Sequence, residues 1–304
     1  MGNGRWSSRD WHSYADRNVR GRSQSQVFRT CSLLDDVNPA RIRMRESRDS
    51  ADNPQSTPII LAADVTGSMG MVAHQLMQHG LNTLATEIYD RKPVTDPHIM
   101  AMAVGDAWCD QAPLQVTQFE ADIRLAKQVQ NLWLEGGGGG NNGESYMAAH
   151  LFAALKVSAD AIEKRHRKGY LFTIGDEPVL DGMTRGQIER VMGVRAERDY
   201  SAREILAMAE RNWDVFHIVL ANEGYASCRL DEVLDTWKPL LPERTILLSD
   251  VERLAETVVS TIQVHEGTRP EDVVASWSGS TAVVVADALA GMTGHPGPRR
   301  LRPY

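Results

Sequence analysis

The sequence predicts a doubly wound α/β fold, in which a mostly parallel β-sheet lies between two layers of helices. Short apolar segments bounded by Gly, Pro or Asp recur along the chain, as expected for strands that are buried on both faces. Between them lie longer segments with apolar residues three and four positions apart, the spacing of amphipathic helices. Strands that alternate with helices in this way indicate parallel strands joined by helical crossovers.

Six apolar segments are predicted as strands, and most are followed by a helical pattern. The predicted strands are 58–63, 98–105, 114–119, 170–174, 213–220 and 245–248. The third follows the second so closely that the two are predicted to form a hairpin. The main predicted helices are 69–89, 120–134, 144–165, 184–192, 201–211, 230–238 and 250–264.

Composition divides the chain into three parts. Residues 58–264 carry the strand and helix patterns and form the predicted domain. Residues 1–57 form an Arg-rich arm, expected to be partly disordered and partly docked by its aromatic residues. Residues 265–304 form a C-terminal extension whose Pro- and Arg-containing tail is expected to be mobile.

Charge and cysteine content limit the classes of partner and compartment. The chain has a net charge of −7, and the arm contributes ten Arg against seven acidic residues. A surplus of three positive charges is too small to indicate a nucleic-acid-binding protein. Three widely spaced cysteines, no apolar signal region and no apolar segment of the ~18–20 residues that span a bilayer favour a cytoplasmic protein without a membrane segment.

The turn after the first strand carries the most specific chemistry. Asp64, Thr66 and Ser68 occupy alternate positions in the sequence Asp-Val-Thr-Gly-Ser. One carboxylate and two hydroxyls are oxygen ligands that suit a hard cation such as Mg²⁺. On its own, the same turn could serve only as a helix cap, because Asp, Thr and Ser are all favoured there.

Further acidic residues follow other predicted strands. Asp176 and Glu177 come after 170–174, and Asp106 and Asp110 come after 98–105. The carboxyl ends of parallel strands meet at one edge of a sheet, where such folds bind ligands. Asp106 and Asp110 could line that site or simply end a strand.

A glycine-rich stretch, 136–143, precedes the helix that begins near Glu144 and Ser145. Glycine allows a backbone to approach a ligand closely, so this stretch is predicted to be a loop over the site, although it could be a plain linker. Glu144 could bind a metal ion or interact with the helix dipole.

These elements together resemble the von Willebrand factor A (VWA) domain family. Its metal-ion-dependent adhesion site has the pattern Asp-x-Ser-x-Ser after the first strand, matched here by Asp64, Thr66 and Ser68. The family's final Asp matches Asp176. Its loop Thr has no identical match, and Ser145 is the nearest hydroxyl in that context. The resemblance covers about residues 57–264 and is close to intracellular bacterial and phage members that share the Asp-Val-Thr-Gly-Ser-Met-Gly turn.

The resemblance implies a Rossmann-like sandwich and a non-catalytic function. It implies a metal site with Asp64, Thr66, Ser68, Ser145 and Asp176 as ligands. Further or outer ligands would be Glu144, Asp106, Asp110 and Glu177. The ion would be Mg²⁺, or Mn²⁺ or Ca²⁺, and an Asp or Glu of a partner protein would complete its coordination. Intracellular family members often serve as adaptors for AAA+ ATPases of the MoxR type, so such a partner is expected.

An enzyme is the alternative. Asp-x-Thr-Gly-Ser also resembles the phosphoaspartate motif of haloacid-dehalogenase-like phosphohydrolases, in which Asp64 would be the nucleophile. Asp176, Glu177 and Asp181 would then hold Mg²⁺. That chemistry needs a lysine to steady the phosphate, for which Lys164 and Lys168 are the candidates.

Overall fold

The computed structural model describes residues 4–137 and 143–292, without the side chain of Ser68, and it confirms the predicted fold class. Its strands are β1 (Arg45–Ser47), β2 (Thr57–Asp64), β3 (Pro97–Val104), β4 (Leu114–Val116), β5 (Val157–Ala159), β6 (Gly169–Gly175), β7 (Trp213–Leu220) and β8 (Thr245–Leu248). Six of them form one sheet in the order β4-β3-β2-β6-β7-β8. All neighbours in it are parallel except β3 and β4, which form the predicted antiparallel pair.

Helices cover both faces of this sheet. They are α1 (Ser8–Asn18), α2 (Gln24–Val27), α3 (Gly70–Gln75), α4 (Leu81–Arg91), α5 (Arg124–Val129), α6 (Tyr146–Leu155), α7 (Asp160–Glu163), α8 (Arg185–Met192), α9 (Ala202–Ala209), α10 (Ala226–Trp237), α11 (Leu254–His265), α12 (Pro270–Ala275) and α13 (Gly279–Leu289). A π-helical turn, Leu76–Gly80, joins α3 to α4. In the part of the chain described, none of these helices is long and apolar enough to cross a membrane.

The alternation of side chains along the strands builds two cores. In β2, Ile59 and Leu61 face a core formed with α1, α3, α4 and α11, whereas Ile60 and Ala62 face a second core formed with α6, α8, α9 and α10. Every residue of β2 from Pro58 onward is buried, which explains why its sequence is a continuous apolar segment up to Asp64.

The predicted helix 144–165 is wrong between Leu155 and Asp160, and only the short α7 is helical beyond that point. Helix α6 ends at Leu155, and the chain continues as β5, which pairs with β1 of the arm. The buried ammonium group of Lys156 donates to the carbonyl oxygens of Pro39 (2.7 Å) and Ile42 (2.6 Å). This contact between distant segments stabilises an extended backbone where the local pattern favoured a helix.

The arm contacts the domain over much of its length. Trp11, Ala15 and Val19 of and after α1 are buried in the first core. Trp6 donates from its indole nitrogen to Asn82 Oδ1 at 3.1 Å. The expectation of partial disorder stays a prediction, and the expected mobile tail, residues 293–304, lies outside the described residues.

The topology creates one crevice. The chain passes from β2 to β3 on one side and later enters β6 on the other side of β2. The helices that follow these strands therefore diverge at the carboxyl end of β2, the position at which doubly wound folds bind ligands. Asp64, the last residue of β2, stands at this crevice.

Candidate metal centre

Asp64 is fully buried at the end of β2, and both of its carboxylate oxygens accept hydrogen bonds. Oδ1 accepts from the Thr66 backbone N–H (2.8 Å) and hydroxyl (2.7 Å). Oδ2 accepts from the Tyr146 hydroxyl at 3.2 Å. Gly67 adopts a φ of +43°, which favours glycine, and its N–H donates to the Gly137 carbonyl at 2.6 Å. The start of the glycine-rich loop therefore lies against this turn.

Tyr146 reaches Asp64 only because residue 175 is a glycine. A Cβ on Gly175 would lie 1.9 Å from the Tyr146 hydroxyl oxygen, far inside van der Waals contact. No role for Tyr146 was predicted from the sequence, since an aromatic residue in the first turn of a helix is an ordinary core residue. The signal available was the combination of Glu-Ser-Tyr at a helix start with a glycine at the end of the facing strand.

Glu144 is held at the same edge by the loop that follows β6. Its backbone N–H donates to the Pro178 carbonyl at 3.1 Å, and residues 144 and 179 form a parallel bridge. Gly143 permits this approach, because a Cβ there would lie 2.8 Å from the Pro178 carbonyl oxygen. The glycine-rich loop and the loop after β6 are thus joined at the point where each supplies an acidic residue.

Asp176 and Glu177 directly follow β6, at the start of the same loop. Asp176 is buried, and its Oδ2 accepts from the Tyr225 backbone N–H at 2.5 Å. The Glu177 carbonyl accepts from the Trp237 indole at 3.3 Å, which fixes the backbone of this loop.

The loop after β3 forms another side of the crevice, and Ser145 contacts this loop through its hydroxyl group. The Ser145 hydroxyl donates to Asp106 Oδ1 at 3.3 Å and accepts from the Ala107 N–H at 2.8 Å. Asp110 Oδ2 accepts from the Asp106 N–H at 2.8 Å. Arg190 donates to the carbonyl oxygens of Ala107 and Asp110. Ser145 and Asp110 therefore order this loop.

Burial and mutual repulsion raise the pKa values of the acidic residues in the crevice. Burial is the largest cause for Asp64, and the charges of Asp176 and Glu177 add to it, raising its pKa to about 8. Burial and the charges of Asp64 and Glu177 raise the pKa of Glu144 to about 9. Burial, with the charges of Asp176 and Asp106, raises the pKa of Glu177 to about 7.

Burial also raises the pKa of Asp176. The charged groups that act most strongly on these four side chains are thus other carboxylates.

The donor set fits a hard divalent cation. It consists of carboxylate and hydroxyl oxygens, which Mg²⁺ and Ca²⁺ prefer. Within residues 4–137 and 143–292, no three His, Cys, Asp or Glu side chains lie close enough to hold an ion on their own. Hydroxyl groups and water would therefore have to complete the coordination, as Mg²⁺ sites usually require.

The structure brings together most of the residues predicted from the sequence. Asp64 and Thr66 lie at the end of β2, Asp176 and Glu177 follow β6, and the hydrogen bond to Pro178 holds Glu144 beside them. Ser145, Asp106 and Asp110 lie in the adjoining loop network. Ser68 belongs to the 3₁₀ turn Gly67–Met69, but its predicted ligand role falls on a side chain outside the described set.

Comparison with known proteins identifies structural likeness but no family. No protein-family profile matches the chain, and no curated protein does. The pilus adhesin SpaC from Lactobacillus rhamnosus GG, in its open conformation, shares 9% identity with a TM-score of 0.45, covering 72% of this chain and 31% of the adhesin. A second structure of that adhesin shares 9% identity with a TM-score of 0.44, covering 72% of this chain and 32% of the adhesin.

A von Willebrand factor type A protein from Catenulispora acidiphila shares 13% identity with a TM-score of 0.35, covering 69% of this chain and 42% of that protein. The chain therefore spans less than half the length of each of these proteins. Scores of this size do not assign a family, so the fold class rests on the strand order and the two helix layers themselves.

Proposed function

We propose that this chain is a non-catalytic protein-interaction module that binds a divalent cation, Mg²⁺ or alternatively Mn²⁺ or Ca²⁺, at the carboxyl edge of β2 and β6. Through that ion it binds a carboxylate of a partner protein. The observation that carries the proposal is the cluster of three buried carboxylates, Asp64, Glu144 and Asp176, with the partly buried Glu177, whose charges repel one another. A divalent cation would compensate this repulsion, since buried charges are normally paired or bound to metal.

Asp64, Thr66, Ser68 and Asp176 are the proposed ligands from the two central strands. A side-chain hydrogen bond with Thr66 and the effect of the Asp64 charge on the pKa of Glu144 support Glu144 as the ligand from the glycine-rich loop. Ser145 would instead act through Asp106, to which its hydroxyl donates. With Glu177, Asp106 and Asp110 nearby, a bound ion would be surrounded by excess negative charge.

Titration calorimetry with Mn²⁺ tests the metal site. Asp64→Asn is expected to weaken Mn²⁺ binding by roughly tenfold or more, because it removes a charged ligand oxygen. The matched control is Asp160→Asn, which alters a buried aspartate that is paired with Arg48 and Lys164 and should leave Mn²⁺ affinity unchanged. Equal affinity in the wild type and Asp64→Asn would contradict the proposal.

An exposed tryptophan beside the crevice supports protein binding. Trp108 is 74% exposed, and its backbone N–H donates to Asp106 Oδ1 at 2.7 Å. Exposed Trp side chains on an ordered backbone are frequent anchors of protein interfaces. A partner that presents an Asp or Glu next to an apolar side chain would engage both the ion and the indole.

An AAA+ ATPase of the MoxR type is the proposed class of partner. Capture of a purified ATPase of this class should require Mg²⁺ and should be lost with Asp64→Asn and reduced by Trp108→Ala. Capture that is equal in Mg²⁺ and in EDTA would contradict an ion-mediated contact.

The phosphohydrolase alternative has less support. Lys168 immediately precedes β6 and Lys164 lies further upstream, so both stand at the amino end of that strand, opposite the crevice. Lys164 also forms an ion pair with Asp160 at 2.7 Å. Asp64, buried and with a raised pKa, is poorly suited to act as a nucleophile near neutral pH. Mg²⁺-dependent hydrolysis of an aryl phosphate that is lost with Asp64→Asn would support the phosphohydrolase alternative.

A further inference from the structure

A second concave site lies between the arm and residues 130–131, and none of its lining residues belongs to the carboxylate crevice. A cavity of about 310 Å³ between the end of α1 and α2 is lined by Arg17, Arg22 and Arg29. Its other lining residues, such as Gln26 and Asn131, are uncharged. The cavity thus concentrates three positive charges in a protein whose net charge is −7.

The three guanidinium groups have donor capacity left over. Arg17 donates from Nε to the Ser13 carbonyl (3.0 Å), Arg22 from Nη2 to the Arg17 carbonyl (2.7 Å), and Arg29 from Nε to the Gln26 carbonyl (2.9 Å). In the described ranges, none of the three forms an ion pair with a carboxylate. A guanidinium carries five N–H donors, so most of theirs remain for a ligand.

The backbone that carries these arginines is held in place by the first core. Val19 directly follows α1, Val27 is the last residue of α2 and Phe28 follows it, and all three are buried in that core. Ser23 begins α2 with a capping box that includes Gln26. Burial of these anchors on both sides keeps the three charged side chains around one cavity, although like charges repel.

A neighbouring cavity of about 760 Å³ extends the same surface. It shares Arg17 with the first cavity and adds Arg9 and Lys127, together with the carboxylate of Asp10. A ligand larger than a single anion could therefore continue from one cavity into the next.

We propose that the Arg17–Arg22–Arg29 cleft binds a ligand with two or more adjacent phosphate groups. Guanidinium groups match phosphate oxygens through paired N–H donors, and three of them around one cavity balance several negative charges at once. A single carboxylate would leave two of the three charges uncompensated. The phosphates could belong to a free small molecule or to the phosphodiester chain of a single-stranded nucleic acid, and the cleft would recognise the same groups in both.

Binding of sodium tripolyphosphate and of a short single-stranded oligonucleotide, each measured by calorimetry in EDTA at low salt, tests the proposal. EDTA keeps the result independent of the metal site. The triple variant Arg17→Gln, Arg22→Gln, Arg29→Gln should weaken tripolyphosphate binding roughly tenfold or more, because charge-assisted contacts are lost. Tighter, arginine-dependent binding of the oligonucleotide would identify a nucleic-acid chain as the source, and the opposite order would identify a small phosphorylated molecule.

A matched control separates a built site from general charge. Arg195, Arg203 and Arg211 are exposed and outside the cleft, so replacing all three by Gln changes the net charge by the same amount. This control triple should change affinity less than about twofold. Equal weakening by both triples, or no binding of either ligand to the wild type, would overturn the proposal. If the cleft triple does not fold, the single change Arg29→Gln, at an exposed position, should still weaken binding about threefold.

Discussion

Two clusters of acidic residues in this molecule have opposite electrostatic properties. The crevice cluster consists of Asp64, Glu144, Asp176 and Glu177, and its pKa values are raised. The junction cluster, where the arm meets the segment after α6, consists of Asp49, Asp160 and Glu163 with Arg48, Lys164 and Arg165. Its carboxyl pKa values are lowered.

Local cations account for the difference. Asp160 pairs with Arg48 at 3.0 Å and with Lys164 at 2.7 Å, and it accepts from the Asp49 N–H at 2.9 Å. Burial alone would raise the pKa of Asp160, but these contacts outweigh it and lower the pKa to about 2. Asp64 is as deeply buried, at 0% exposure against 3%, yet its main charged neighbours are acidic.

The junction carboxylates have a structural role, whereas the arrangement of the crevice carboxylates indicates a ligand-binding site. The junction cluster contains its own counter-charges and holds the arm against the domain. The main charged neighbours of the crevice carboxylates are other carboxylates. A cation supplied from solution would therefore have there the role that Arg48 and Lys164 have at the junction.

The pH dependence of stability should differ in sign between the clusters, and this is the largest expected effect. The crevice carboxyls have raised folded pKa values, so their contribution is fully present below about pH 4 and is lost as pH rises to about 9. In EDTA the free energy of unfolding should therefore fall by on the order of 3 kcal/mol between about pH 5 and pH 9. Urea denaturation at each pH measures it.

Saturating Mg²⁺ should remove most of that loss. Asp160 behaves in the opposite way, since its lowered pKa gives stability that is present above about pH 4 and is lost as pH falls towards about 2. A stability profile in EDTA that is flat from neutral to alkaline pH would show that the crevice carboxylates do not repel one another as described.

Removing the central carboxylate of the junction cluster should be the next largest effect. Asp160→Ala leaves Arg48 and Lys164 without their shared buried partner and should cost about 2–3 kcal/mol in urea denaturation. Asp272→Ala removes an exposed partner of Arg269 and should leave the unfolding midpoint unchanged. Mn²⁺ affinity should be unaffected by both variants, and a loss with Asp160→Ala would mean that the two clusters are coupled.

Gly175→Ala should break the contact between β6 and α6 that orders the crevice. The added methyl group would overlap the Tyr146 hydroxyl, so a loss of about 2 kcal/mol is expected from overpacking. Adding Tyr146→Phe removes the overlapping oxygen and should restore part of the stability.

Gly186→Ala is the matched control for Gly175→Ala. Gly186 lies in α8, where a Cβ would meet nothing within 4 Å, so alanine there should be neutral or stabilise by up to about 1 kcal/mol. Equal thermal unfolding midpoints for the Gly175 and Gly186 variants would refute the tight packing at Tyr146.

The smallest expected effect has an unusual sign. At about pH 9, above the raised pKa of Asp64, Asp64→Asn removes one charge from a repelling set and should stabilise the metal-free protein by about 1 kcal/mol. The same variant should lose the rise in thermal midpoint that Mg²⁺ produces in the wild type. Destabilisation in EDTA would indicate that the Thr66 and Tyr146 hydrogen bonds of Asp64 outweigh the repulsion.

Local patterns were informative wherever secondary structure followed from nearby residues. Continuous apolar segments predicted β2, β6 and β7 to within a residue or two. Prediction failed where contacts between distant residues decided the backbone, as at Lys156, whose ammonium group is bound by carbonyls of the arm. The predicted helix 120–134 is likewise reduced to α5, because Gln118, Glu120 and Gln128 hydrogen-bond near its start.

The sequence by itself determined the strands of the main sheet, the doubly wound class and the acidic ends of β2 and β6, because these depend on periodicity and on the residue that follows each strand. Only the tertiary structure decided which neighbours each carboxylate has. It placed cations around Asp160 and acidic groups around Asp64, and it brought Tyr146 against Gly175. Charge interactions depend on distances between segments far apart in the chain, which no local pattern encodes.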